Sequence, residues 1–204
     1  MEKRYSKETI FPTYLFQFQN KNLAKKLKHY IVGLDKINGI VSDISPTTKN
    51  NLVESQFDFL TKEDETIVES RSFFAQSIKE VLNDLQNSNS NYQVRFNESW
   101  YHIGKKNSSH DIHMHPNCSW CGLFYIQSGD KDGKGETKFN SPINFSYVDS
   151  GTTHLNEETV IVKPEDGKLI IFPSYLYHYQ SLYTGNQDRI VVAFNSSIMG
   201  SGPA

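Results

Sequence analysis

The stretch His110-Asp111-Ile112-His113-Met114-His115-Pro116-Asn117 holds three of the chain's seven histidines, with a carboxylate between the first two. It leads into Trp120-Cys121-Gly122-Leu123-Phe124-Tyr125-Ile126, an apolar, aromatic run that reads as a β-strand. Side chains alternate along an extended segment, so His113 and His115 fall on one face of it. Two imidazoles side by side at the mouth of a strand form a candidate grip for a divalent transition metal, and the rest of the chain is read from there.

The same period of two recurs downstream. Tyr92, Val94 and Phe96 alternate with polar residues, and Trp100 to Ile103 continues that strand. Further strands are expected at 119–127, 144–149, 158–163, 168–173, 176–183 and 189–196, most of them set apart by turn residues such as Gly129 to Gly133, Ser150-Gly151 and Gly185-Asn186. Upstream the period is helical. Asn20 can cap a helix carrying Leu23, Leu27, Tyr30, Ile31 and Leu34 on one face, and a second helix is expected from about Asp64 to Leu85. Residues 10–18 read as an opening strand and 42–51 as a loop. The pattern predicts a mainly β chain with flanking helices (α+β), a jelly roll with two N-terminal helices packed on its outside. One domain over 1–204 is expected, with helical support at about 20–86 and the jelly-roll core at about 92–196.

Composition narrows the function. Of 204 residues, 37% are hydrophobic, 22% charged and 13% aromatic, and the net charge is −2, so no broad basic field gathers nucleic acid and no nucleic-acid partner is expected. No long apolar run predicts a membrane span, and the residues Met1 to Tyr5 lead into no signal-like core, which favours a cytoplasmic protein. Two cysteines, Cys118 and Cys121, are too few for a disulfide framework and read as free thiols.

A third candidate ligand, His178, follows the buried-strand run Leu169-Ile170-Ile171-Phe172-Pro173 and a turn. Non-haem iron sites commonly use two histidines and one carboxylate on one face of the metal. Here His115 stands where the carboxylate is expected. Asp111-x-His113 is the reversed option, and His113, His115 and His178 together are the simplest set. With that set, Asp111 becomes an outer partner orienting an imidazole. His102 and His110 read as solvated or second-layer residues, and His29 and His154 as surface. Arg189 opens Ile190-Val191-Val192-Ala193-Phe194-Asn195; if it points inward, a carboxylate is its natural partner. Tyr101, Phe124 and Trp120 are candidates for an aromatic pocket lining.

Taken in order, Phe11-Pro12-Thr13, His113-Met114-His115-Pro116-Asn117, Cys121-Gly122-Leu123-Phe124-Tyr125, Phe139-Asn140-Ser141-Pro142, Phe172-Pro173-Ser174, His178 and Arg189 to Asn195 resemble the 2-oxoglutarate- and Fe(II)-dependent oxygenases, in the branch common in marine bacteria and phages. The resemblance spans about 10–196. It implies a double-stranded β-helix core, catalytic iron held by His113, His115 and His178, and the co-substrate 2-oxoglutarate bound at Arg189, with Tyr125 as a second contact. It further implies dioxygen as oxidant and hydroxylation of a C–H bond in a small molecule or protein side chain. Cys121 stands where the family often has serine, and Ile143 where an arginine is common.

Two other readings compete. His113-x-His115-x-x-Cys118-x-x-Cys121 offers zinc-type ligands, although in one short segment rather than two separated pairs. A non-catalytic, cupin-like barrel could bind a small acid through the same pocket. The loops at 42–58 and 128–158, with the N-terminal helices, are the expected specificity elements.

Overall fold

A computed structural model describes residues 9, 11–38, 49–86, 92–143 and 158–200. Its strands are β1 (Phe16–Gln19), β2 (Lys49–Glu54), β3 (Gln93–His113), β4 (Trp120–Gln127), β5 (Thr137–Asn140), β6 (Thr159–Val162), β7 (Lys168–Pro173), β8 (His178–Tyr183) and β9 (Arg189–Met199). The helices are α1 (Lys21–Asn38) and α2 (Glu65–Gln86). No helix among the described residues is long and apolar enough to cross a membrane.

Both helices begin at side-chain caps. Asn20 Oδ1 accepts the Leu23 N–H at 3.0 Å, and Asp64 Oδ1 accepts that of Thr66 at 2.8 Å. From α1, Leu23, Ala24, Leu27 and Ile31 are buried; from α2, Ile67, Phe74, Ile78, Val81 and Leu82. These stripes meet one face of the sheet.

Every strand pairing is antiparallel, in the order β1-β7-β4-β9-β3-β8-β5-β6, with β2 alongside β3. The long strand β3 curls the sheet. Its first part pairs with β9, from Gln93 opposite Met199 to Gly104 opposite Arg189. After register shifts its last part pairs with β8, ending with His113 opposite His178. Such bulges bend a strand and re-aim its side chains. The architecture is the jelly-roll, mainly β fold with outer helices that the sequence predicts.

Alternation then divides the side chains between two cores. Phe124, Ile126, Leu169, Ile171, Ile190, Val192 and Phe194 face the helices. Cys121, Tyr125, Ile170, Phe172 and Val191 face inward, with Phe139, Val162 and Leu176. Gly122 is the point of closest approach: a Cβ there would lie 2.1 Å from the Phe194 ring, which stacks on Phe74 at 4.9 Å between centroids. Gly167, at φ +83°, donates its N–H to Tyr125 and accepts that of Asn20, both at 2.7 Å, tying the start of α1 to β4.

Several expectations are corrected. The opening strand is shorter than 10–18. The loop expected at 42–51 ends in β2, whose polar start conceals a strand completed by pairing with β3 and by burial of Leu52 and Glu54. The histidine motif precedes the strand β4 as expected, and its first part also ends a strand, since β3 runs on to His113. Thr137–Asn140 forms β5, too short to stand out by pattern. The strand expected at 144–149, His154 and residues 42–48 of the expected loop lie outside the described residues.

Candidate metal centre

Three elements bring three imidazoles together. His113 closes β3, His178 opens β8 opposite it, and His115 lies in the connection from β3 to β4. One ligand atom from each lies within 4.8 Å of the other two. Ring centroids are 4.4 Å apart for His113–His178, 5.0 Å for His113–His115 and 5.2 Å for His115–His178. Among the described residues this is the group of histidines, cysteines and carboxylates that converges as metal ligands do.

The ring orientations are built in. His113 Nδ1 donates to the Asp111 carbonyl at 2.7 Å, and His178 Nδ1 to that of Leu176 at 2.9 Å. Each bond fixes the tautomer and leaves Nε2 with a free lone pair. His115 is positioned by the turn after β7. Its N–H donates to the Ser174 carbonyl at 3.2 Å, and Ser174 Oγ donates to that of Cys118 at 2.7 Å. Asn195 Nδ2 lies 3.4 Å from His115 Nδ1 and donates to Glu98 Oε2 at 3.0 Å. Ser174, Asn195 and Glu98 are positioning residues that sequence reasoning missed; Ser174 and Asn195 sat inside recognised motifs with no role attached.

Burial keeps these histidines neutral. Desolvation, helped by the neighbouring His113, lowers His115 to about 4 and His178 to about 3. Burial also depresses His113. A neutral imidazole is the form that ligates a metal, so the donor chemistry fits a divalent transition ion.

Asp111 acts through its backbone. Its side chain is exposed, and its carboxylate is not among the converging donors. The cysteines also stand apart from that donor set. Their sulfurs are 3.8 Å apart, and Cys121 Sγ donates to Asn195 Oδ1 at 3.3 Å. The hydrogen bond between the two thiols lowers Cys118 to about 7, while that bond and burial push Cys121 up.

His113, His178, Leu123, Thr137, Val191 and Arg189 line one cavity. Arg189 is 3% exposed. It donates through Nη1 to Gln180 Oε1 at 2.8 Å and lies 5.4 Å from the centre of the Tyr125 ring. Its Nε has no partner, and no carboxylate pairs with it among the described residues. Tyr125 is fully buried, and its hydroxyl donates to Thr137 Oγ1 at 2.7 Å. An unpaired buried cation with an orphaned N–H is the complement of an anion.

His102 and His110 also line this cavity. His110 stacks on His113, centroids 4.0 Å apart. His102 is buried rather than solvated and is bonded to Glu54. Glu54 pairs with Lys49 at 2.5 Å. Burial alone would raise Glu54, but its bonds to His102 and Lys49 outweigh that and hold it below the usual carboxylate range. The expected aromatic lining is corrected by parity. Tyr101 and Phe124 belong to the helix-side core, and Trp120 packs against that same core.

Comparison with known proteins agrees with this geometry. Residues 98–195, from Glu98 through all three histidines and Arg189 to Asn195, match the family described as "Putative 2OG-Fe(II) oxygenase". Over these residues the chain is similar to the 2-oxoglutarate/Fe(II) oxygenases. The chain superposes on a prolyl-4-hydroxylase from Pseudomonas putida with a TM-score of 0.63 and 12% identity, covering 91% of this chain and 93% of that one. It also resembles a Trichoplax adhaerens prolyl hydroxylase solved with a peptide fragment of the hypoxia inducible factor oxygen degradation domain (TM-score 0.59, 12% identity, 90% and 83% covered). A third similar structure is HygX from Streptomyces hygroscopicus, solved with nickel and 2-oxoglutarate bound (TM-score 0.59, 12% identity, 91% and 83% covered). At such identities the likeness is one of fold. No curated protein matches the chain in sequence.

Proposed function

We propose that this protein is a 2-oxoglutarate- and Fe(II)-dependent dioxygenase, a hydroxylase acting on a C–H bond of a small molecule or a protein side chain. His113, His115 and His178 hold the iron, and Arg189, supported by Tyr125, receives the far carboxylate of 2-oxoglutarate. The observation that carries this reading is Arg189 itself, buried with no carboxylate partner among the described residues and lining the same cavity as His113 and His178, two of the three converging imidazoles.

Bound Fe(II) supplies the redox chemistry: with dioxygen it supports oxidative decarboxylation of 2-oxoglutarate to succinate and carbon dioxide, coupled to insertion of oxygen into the substrate C–H bond. The chain's residues prepare the site. Neutral imidazoles bind without first losing a proton and add no negative charge. An entering dianion therefore meets the Arg189 guanidinium with no fixed carboxylate opposing it. Guanidinium geometry suits a carboxylate bidentately. The Tyr125 ring braces the guanidinium, and Leu123 and Val191 line the path with apolar surface that excludes water.

The test is incubation with Fe(II), 2-oxoglutarate and oxygen across a panel of amino acids, peptides and small metabolites, with succinate as readout. Succinate release that rises with one class of candidate and disappears in His178→Ala and Arg189→Met supports the reading. Failure of 2-oxoglutarate to bind the iron-loaded protein contradicts it.

A further inference from the structure

The cavity carries a second basic side chain besides Arg189. In the register of β3 against β9, Gly104 lies opposite Arg189 and His102 opposite Val191. His102 is thus the diagonal cross-strand neighbour of Arg189 on the inner face, at a spacing within reach of long side chains. Both line the same cavity. One ring nitrogen of His102 is committed. Its Nε2 contacts Glu54, with the Trp100 indole N–H 3.1 Å from the same nitrogen. Nε2 cannot both accept from Trp100 and donate to Glu54; because Glu54 is held ionised beside Lys49, the closer contact to its carboxylate places the proton on Nε2 and leaves the Trp100 N–H as the weaker neighbour. Among the described residues no hydrogen bond engages Nδ1, the one polar atom of the ring left over.

We propose that His102, backed by Glu54, is a second contact for the far carboxylate of the co-substrate, and that each 2-oxoglutarate bound at Arg189 brings one proton to His102 Nδ1. The inference rests on the proposed function and adds a binding residue and a proton to it. Its logic is electrostatic. With Nε2 protonated, neutral His102 presents a lone pair to the cavity. A carboxylate presents lone pairs as well, so the two repel until Nδ1 is protonated. An imidazolium held between Glu54 and an incoming carboxylate has a charge-assisted partner on each side. The groups facing His102 account for both states. Glu54 on β2 favours the charged ring, whereas Lys49 on β2 and Arg189 on β9 oppose it; His110 on β3, 5.7 Å away between ring centroids, is kept neutral by burial and adds no charge. Without the ligand the opposing groups and burial prevail; a carboxylate offsets Arg189 and reverses the balance. His102 then acts as a proton-linked selector: it favours a co-substrate whose far end is anionic over a keto acid that ends in a neutral group.

The test uses protein loaded with Zn(II), a diamagnetic and redox-inert occupant of the histidine site. Calorimetric titration with 2-oxoglutarate in buffers of different ionisation enthalpy reads the protons taken up. Near-neutral pH, between the titration of free His102 and that of the complex, should show close to one proton per ligand, with affinity falling about tenfold per pH unit across that same window and levelling off above it. Nitrogen-15 histidine spectra should show one ring, His102, becoming doubly protonated on binding. Glu54→Gln should weaken binding about tenfold and reduce the uptake, and His102→Gln should abolish the uptake while Arg189 still binds. Because the spectra are taken on the wild-type protein, the test survives failure of either variant to fold. Binding without proton uptake, or uptake that persists in His102→Gln, overturns this inference and leaves the proposed function standing. No binding at all overturns both.

Discussion

Replacing Arg189 with methionine separates a ligand-binding arginine from a structural one, because the two predict opposite signatures. In the ligand-free protein the guanidinium is buried, bonded to Gln180 at 2.8 Å and braced by Tyr125, with Nε unsatisfied. Methionine leaves Gln180 Oε1 without its donor, a cost of about 1–3 kcal/mol. It also removes a cation–π contact worth about 0.5–2 kcal/mol. Against this, it relieves the burial of an uncompensated charge, which carries a penalty of several kcal/mol. The balance leaves Arg189→Met within about 1 kcal/mol of the parent, whereas an arginine serving a buried ion pair costs about 3–5 kcal/mol to remove. Binding moves the other way. Two charge-assisted bonds to a carboxylate, at roughly 1.5–3 kcal/mol each, correspond to a loss of about two to four powers of ten in 2-oxoglutarate affinity. Chemical denaturation of the metal-free protein and calorimetry of the metal-loaded protein read the two quantities separately. A variant destabilised by more than about 3 kcal/mol whose 2-oxoglutarate affinity is unchanged would refute the reasoning.

Three further outcomes are expected. The metal-free protein should lose stability as pH falls below about 6.5. His113, His115 and His178 are depressed in the folded state, to about 4 and about 3 for the last two, so the unfolded chain takes up protons first. Each contributes roughly 1.4 kcal/mol per pH unit once its unfolded form is protonated; melting temperatures that stay flat from pH 7 to pH 5 would show the rings to be solvated instead. Gly122→Ala drives a methyl into the Phe194 ring, with a cost of about 1–3 kcal/mol and a fall of several degrees in Tm; an unchanged Tm would mean that the two helix-facing rings do not pack as described. Cys118→Ser and Cys121→Ser should each retain one metal per chain with affinity close to that of the parent. Loss of the metal in both would instead favour the zinc module.

Legibility from sequence follows the range of the interactions. The helices are readable because apolar residues recur at helical spacing behind Asn20 and Asp64, signals contained within one element. Strands β4, β7 and β9 are readable as apolar runs. In contrast, β2 begins Lys49-Asn50-Asn51 and exists because β3 offers it hydrogen-bonding partners, which no local pattern reports. The same holds at the site. His113, His115 and His178 are identifiable by residue type and order, and Arg189 by its place at the head of a strand. The parity of the strands decides what surrounds them. It sends Tyr101 and Phe124 to the helices and His102 to the cavity. Alternation from Arg189 along β9 assigns faces within that strand, but the register that sets His102 diagonal to it depends on bulges in β3. The support of His115 by Ser174, Asn195 and Glu98 joins residues far apart in the chain and is visible only in the fold.

The central claim is that one cavity brings iron and 2-oxoglutarate together. The most direct measurement is to add Fe(II) to metal-free protein under anaerobic conditions and titrate in 2-oxoglutarate while recording the visible spectrum. The account predicts a weak metal-to-ligand charge-transfer band that saturates at one 2-oxoglutarate per chain and is lost in His113→Ala, His178→Ala and Arg189→Met. Absence of the band in the parent protein, together with a tightly held zinc that depends on Cys118 and Cys121, would contradict it.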